Sequence, residues 1–343
     1  MAQPSTLEYT TLSERAQSVV DNLIPPHDKT EAAAKKFAHV KPLPPNKDGD
    51  TEVLKGVTFT HHFAYGPGDY ERVLWHYVTT GPLDGEPIVF LHGIPDSWYQ
   101  WHRQLAALSS KSYYCLSIDL KGYGQSEKSA GDYRHEAVSE QLYALLTDVL
   151  HLKSFNIVTH DRGTVQADFL VAKHPESVLR YGRGEQHLYH FHPSLAPQGD
   201  LFRDAPYSGM FLDPVKFVTF CYTWITLRPV PDAEMERTIQ EWAFEGTAKA
   251  VPRYFNSSTF RQEWIARRSP GGLLERWKCP VLIMQGKESK TQPWEWYVDA
   301  RKYIPNAKDV KVRFIEEACH YWPTEQPELT TKAVEELLAM PVD

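Results

Sequence analysis

Apolar and polar positions are distributed along this chain in two distinct ways, and the switch between them sets the architecture. VTFTHHFAY (57–65) and VLWHYVTTG (73–81) are rich in β-branched and aromatic residues and are separated by Gly66, Pro67 and Gly68. They read as two strands of a hairpin. PIVFLH (87–92), YYCLSID (113–119) and FNIVTH (155–160) are apolar at nearly every position, the pattern of strands covered on both faces. Between them, WYQWHRQLAALSSK (98–111), HEAVSEQLYALLTDVLHL (135–152) and TVQADFLVAKHP (164–175) carry apolar residues at helical spacing, the last stopped by Pro175. VLRYGRGE (178–185) reads as one more strand, an unusually polar one.

This alternation predicts an α/β protein with a mostly parallel sheet and right-handed crossovers. It stops near Gln186. Residues 186–276 are aromatic, broken by prolines and mostly helical in pattern. The alternation resumes with CPVLIMQG (279–286), WEWYVDARKYI (294–304), VKVRFIEE (310–317) and PELTTKAVEELLAM (327–340). The expected layout is a core of residues 53–185 and 277–343, with residues 186–276 inserted as a helical lid over the carboxyl ends of the strands. Residues 1–52 stand outside it as an N-terminal extension. SERAQSVVDNL has the spacing of a short helix, and the Pro- and Lys-rich stretch after it reads as loop that wraps the surface.

Composition narrows the function. The 343 residues are 42% hydrophobic and 24% charged, ordinary for a globular protein, and the formal net charge of -7 argues against nucleic acid or an anionic membrane as partner. No apolar run approaches the ~20 residues of a membrane span, and the first residues show no secretory pattern, so a cytoplasmic location is expected. Cys115, Cys221, Cys279 and Cys319 form no CxxC pair and fit no zinc spacing. No metal and no organic cofactor are implied. The expected partner is a small-molecule substrate, and a homodimer is compatible with the sequence.

The chemistry concentrates in three runs. THDRG (159–163) lies between a buried strand and a helix. A tight strand-to-helix turn exposes its middle residue, here Asp161, as a nucleophile; an Asp at a helix start is also an ordinary cap. HGIP (92–95) follows an apolar strand and can aim the Ile94 N–H at a developing negative charge, beside the N–H of Arg162. ACHYW (318–322) puts His320 after the last strand, where a general base belongs in the order nucleophile, acid, histidine. DLKGYGQS (119–126) reads as scaffold, with Asp119 bonding backbone.

These runs, in order as VFLHGIPDSWYQWHRQLAAL, LSIDLKGYGQSEK, NIVTHDRG and CHYWPTEQPE, resemble the epoxide hydrolase and dehalogenase branch of the α/β-hydrolase superfamily. The resemblance covers about residues 55–340 and is most similar to soluble epoxide hydrolases in HGxP with W-Y-x-W. It implies an α/β-hydrolase fold and a two-step hydrolysis: Asp161 forms an alkyl ester, and water activated by His320 cleaves it. It also implies two tyrosine acids from the lid, Tyr254 and either Tyr207 or Tyr189. Tyr189, Tyr207 and Tyr222 join His92, Pro95 and Trp98 as substrate-facing residues. The acid of the triad has two candidates. Glu185 lies at the end of a strand; Glu288 is one position before Ser289, where the family often carries Asp. Arg162 matches the H-D-R-G of fluoroacetate dehalogenases, but Val165 replaces the second arginine of their carboxylate clamp. Hydrolytic dehalogenation and non-hydrolytic cyclisation or isomerisation of a reactive metabolite are therefore the alternatives to epoxide opening.

Overall fold

The computed structural model describes residues 8–67, 72–129, 131–202 and 207–342. The chain begins with helices α1 (Glu14–Asn22) and α2 (His27–Phe37) and enters the sheet through β1 (Thr51–Leu54), β2 (Val57–Tyr65), β3 (Leu74–Thr80) and β4 (Glu86–Leu91). Helix α3 (His102–Ser109), β5 (Tyr113–Ile118), α4 (His135–Ala144), β6 (Phe155–Thr159), α5 (Arg162–Lys173) and β7 (Val178–Gly184) follow. The nine strands of the sheet run in the order β1-β2-β3-β5-β4-β6-β7, then β8 (Val281–Gly286) and β9 (Val310–Ile315). The pairs from β1 to β5 along that order are antiparallel; all the others are parallel.

Strand β4 shows why the central runs are apolar throughout. Ile88 and Phe90 face one cluster with Leu105, Leu108, Val334 and Leu337, while Val89 and Leu91 face another with Leu142, Leu145, Leu170 and Val171. Successive side chains of a strand point to opposite faces, so burying both faces demands apolar residues at every position. The polar residues of β7 are satisfied at specific sites. The Arg183 guanidinium pairs with buried Asp168, which also takes Arg267 and the Tyr181 hydroxyl, and Arg180 donates to the Met340 carbonyl and pairs with Glu86.

Between β7 and β8 the chain runs through α6 (Gln198–Leu201), α7 (Pro214–Trp224), α8 (Asp232–Trp242), α9 (Thr247–Ala250), α10 (Pro252–Ser257) and α11 (Phe260–Arg268). Helices α12 (Trp322–Glu325) and α13 (Pro327–Leu338) close the chain. Asp213 caps α7, and a reciprocal Thr259–Gln262 capping box starts α11.

The N-terminal extension corrects the sequence reading. The stretch expected to be loop forms α2, which packs on α7; Thr30 bonds Thr223, and Lys36 pairs with Asp232. The flanking prolines hide a run of good helix formers, TEAAAKK, with Asp28 in the first turn and Lys35 and Lys36 in the last, complementing the helix dipole. Thr51 and Glu52, counted with the extension, belong to β1 and pair with β2. No helix among the described residues is long and apolar enough to cross a membrane.

Candidate active site

The loops after β4, β6, β7 and β9 converge at the carboxyl edge of the sheet. Asp161 follows β6 with φ 47 and ψ -114, a conformation a non-glycine residue holds only when its surroundings enforce it, at about 1–3 kcal/mol. Tight packing does so here. A Cβ on Gly163 would meet the His92 carbonyl oxygen at 2.7 Å, and one on Gly93 would come within 2.5 Å of the Asp161 Cβ. The two glycines let the HGIP loop lie against the turn. The Ile94 N–H then donates to Asp161 Oδ1 at 3.0 Å, and Arg162 opens α5, so its backbone N–H is among the unpaired donors of a helix start.

His320 stands beside this carboxylate, with Nε2 3.8 Å from Asp161 Oδ2. Its Nδ1–H donates to Glu185 Oε2 at 3.3 Å. Glu185, also at positive φ, is buried and accepts from Gln285 Nε2, the Gly286 N–H and the Ser289 hydroxyl. Ser289 occupies the position where the sequence led one to look for an acid, and it serves the acid that lies elsewhere. Glu288 is a correction: its carboxylate is about half exposed and pairs with Arg15 at 3.8 Å, because the turn after β8 directs it to the surface.

Burial alone would raise Asp161, but the charges of Arg162 and His320 and the Ile94 N–H outweigh it and hold the carboxyl below its usual range. His320 is lowered by burial and raised more strongly by its bond to Glu185 and by the charges of Glu185 and Asp161, leaving it above 6.5. Burial pushes Glu185 up despite its donors. His160, next to Asp161, is pushed down to about 3 by burial and stays neutral; it accepts from Gln100 and donates to the His320 carbonyl.

The remaining candidates separate into those at the site and those away from it. Tyr222 reaches it from α7: its hydroxyl donates to Asp96 Oδ1 at 2.6 Å, and its ring stacks on Tyr321 with centroids 4.3 Å apart. Tyr254 is buried, but its proton goes to the Lys121 carbonyl at 2.8 Å and its oxygen accepts from Gln166, so it is not available as an acid. His92 uses both ring nitrogens on backbone, the Gly93 carbonyl and the Leu120 N–H, and is scaffold rather than substrate contact. Trp98 packs on Phe59 and His61, within the core on the opposite face of the sheet. Tyr189 stacks on Tyr303 at 3.7 Å beneath Arg268. Pro95 stays in the buried loop between Ile94 and Asp96. The side chain of Tyr207 lies outside the described residues. Among the described residues no group of His, Cys, Asp and Glu is arranged to hold a metal ion.

A family model described as alpha/beta hydrolase fold matches residues 86–181, the stretch carrying HGIP and the Asp161 turn. Epoxide hydrolase 2 of Caenorhabditis elegans is 30% identical over 129 residues, 37% of this chain, and the chain spans about a third (32%) of that protein. A haloalkane dehalogenase of Mycobacterium marinum is 25% identical over 70% of the chain and 81% of its own length. Among solved structures, the epoxide hydrolase CorEH superposes with a TM-score of 0.68 at 19% identity, covering 82% of this chain and 99% of that one. The chain has the α/β-hydrolase fold, and its sequence is similar to epoxide hydrolases and haloalkane dehalogenases.

Within this fold, Arg162 is held in a way the H-D-R-G motif does not reveal. Its guanidinium is buried against Glu263 of α11, with Nη1 3.0 Å from Oε1, lies 3.2 Å from His135 and faces the Phe260 ring at 4.7 Å. A substrate carboxylate would have to displace Glu263, and Val165 is buried in α5, so the site lacks the open carboxylate clamp of the haloacid reading.

Four further residues at the site carry no role that the sequence motifs signal. Gln186 donates to Asp161 Oδ2 at 3.0 Å, and only its adjacency to Glu185 signals it. Asp96, one residue past HGIP, accepts from Tyr222 and from Gln100. Tyr123, in the loop read as scaffold, keeps a buried hydroxyl that finds no hydrogen-bond partner among the described residues, within electrostatic reach of Asp161 and Arg162. Tyr321 donates to the Ile94 carbonyl. Asp119 does bond backbone, through the Trp98 and Gln125 N–H groups, and pairs with His76 as well.

Proposed function

We propose that this protein is an epoxide hydrolase. Asp161 attacks a ring carbon and forms an alkyl ester; His320, oriented by Glu185, removes a proton from the water that cleaves it. The observation that carries this reading is the arrangement around Asp161: a strained turn, one carboxylate oxygen on the Ile94 N–H, the other facing His320. In the second step the ester carbonyl oxygen becomes an oxyanion, and the Ile94 and Arg162 N–H groups are the donors that receive it. Aspartate suits the chemistry because its ester can be hydrolysed, whereas a serine ether could not.

Opening the ring also needs an acid for the departing alkoxide. Tyr254 donates to a backbone carbonyl, which has no proton to give back, whereas Tyr222 is bonded to a carboxyl group, Asp96, that can itself carry a proton; the role falls to Tyr222, and the Tyr123 hydroxyl, without a partner among the described residues, is a second donor. Assay of aromatic and aliphatic epoxides for diol, beside halo-compounds for halide, tests the reading. Diol formation lost in Asp161→Asn supports it; halide release without diol gives the chain to the dehalogenase reading.

A further inference from the structure

Three carboxyl groups, Asp161, Glu185 and Asp96, share one buried site with one ring, His320, that can balance them by becoming cationic. Their donors are unequal. Asp161 has the Ile94 N–H, Gln186 and the nearby Arg162 guanidinium. Glu185 has Gln285, the Gly286 N–H, Ser289 and the His320 ring. Asp96 has two neutral partners, the Tyr222 hydroxyl at 2.6 Å and Gln100 at 2.8 Å. Like charges that cannot all ionise leave a proton on the least stabilised group. Asp96 is that group.

Resting on the epoxide hydrolase reading, we propose that Asp96 stores the proton for ring opening and delivers it through Tyr222. The charged and titratable groups around Asp96 are Tyr222 and Cys221 from α7, Asp161 and His160 from the elbow, His320 and Tyr321 from the loop after β9, and Glu234 from α8. Burial is the main influence and raises Asp96 to about 7; Asp161 and Glu234 push the same way, while Tyr222 and His320 oppose. The carboxylic O–H then donates to the Tyr222 oxygen, which frees the tyrosine proton for substrate.

The protons balance. As Asp161 forms the C–O ester bond and the ring C–O bond breaks, the alkoxide takes the Tyr222 proton and Tyr222 takes the Asp96 proton. The products of this step are the hydroxyalkyl ester and ionised Asp96. Water hydrolyses the ester to the diol and the Asp161 acid, and transfer of that acid proton to Asp96 restores the start. Asp96 never touches the substrate, so it is a positioning and proton-supplying residue, and Tyr222 is the catalytic one.

Infrared difference spectroscopy on the whole protein tests the store without needing a substrate. A protonated-carboxyl C=O band at pH 6 that titrates near neutrality and vanishes in Asp96→Asn is expected. An Asp96 that is ionised across that range overturns the proposal. Single-turnover alkylation by the panel epoxide with the fastest turnover tests the delivery. Asp96→Asn should slow alkylation by roughly 10²-fold with substrate affinity unchanged, and should abolish the fall in its rate above neutrality; Asp96→Glu should restore part of both. Tyr222→Phe gives a second measure if the Asn variant folds poorly, with the same loss expected while the infrared band persists. Wild-type alkylation rates and pH profile in both variants overturn the proposal. Absence of any alkyl ester in the wild type instead overturns the hydrolase reading, and the infrared result still stands on its own.

Discussion

Glu185 accepts the His320 Nδ1–H at 3.3 Å from one residue beyond the end of β7. That bond fixes the tautomer, leaving Nε2 unprotonated toward Asp161 and able to take a proton from water. Replacement by Gln keeps the shape and removes the charge that stabilises the imidazolium. Glu185→Gln should slow ester hydrolysis by roughly 10²–10⁴-fold and let the alkyl-enzyme accumulate, seen as added mass on the intact protein. Glu288→Gln should hydrolyse at the wild-type rate, since that side chain sits at the surface beside Arg15.

Gly93 tests the oxyanion loop. A methyl there would press within 2.5 Å of the Asp161 Cβ and 3.0 Å of its Oδ1, so the loop must move and carry the Ile94 N–H with it. Gly93→Ala should lower turnover by about 10²-fold, the scale of losing one oxyanion donor. Wild-type turnover in a variant of unchanged fold would remove Ile94 from that role.

The buried Arg162–Glu263 pair ties the elbow to α11, with the His135 Nε2 3.2 Å from each partner. Glu263→Ala leaves a buried cation unpaired and should cost about 3–5 kcal/mol in denaturant unfolding. Burial raises the Glu263 carboxyl, but Arg162 and His135 more than reverse this and hold it down to about 2 against an ordinary 4.5. A depressed carboxylate stabilises fully above its unfolded value and loses that contribution as pH falls through the folded one. Wild-type stability should therefore drop between about pH 4.5 and 2, and Glu263→Gln should show a smaller drop over that window.

Ester hydrolysis should rise with pH along a limb set by His320. The ring must be neutral to act as base, and its partners hold its ionisation above 6.5. Single-turnover decay of the alkyl-enzyme across pH should show a midpoint above 6.5, moving lower in Glu185→Gln, which removes the largest stabilisation of the cation. A midpoint below 6.5 in the wild type would mean that the Glu185 contact does not govern the ring.

Asp161 and His320 were legible because each follows a strand at the place the order of elements marks, and strand ends converge; Glu185 was legible only as one of two candidates, since Glu288 also follows a strand. Side-chain direction was not legible. Tyr254 and Tyr222 look alike as lid tyrosines, yet one hydroxyl meets a backbone carbonyl and the other a buried carboxyl. Which occurs depends on how α7 and α10 dock on the core, and local spacing does not encode that. Glu263, the partner of Arg162, lies about a hundred residues away, so a motif centred on the elbow could not include it. Helix α2 was missed for a different reason. Its prolines punctuate the flanks, but its stability comes from Thr30 and Phe37 buried by the fold.

In the proposed reaction Asp161 becomes covalently bound to substrate. Single-turnover reaction with enzyme in excess, in H₂¹⁸O, tests it most directly. Diol largely free of heavy oxygen, with the label in the Asp161 carboxyl, is expected, because water attacks the ester carbonyl and not the substrate carbon. Diol carrying the label from the first turnover, with Asp161 unlabelled, would contradict it and assign Asp161 to activating water instead.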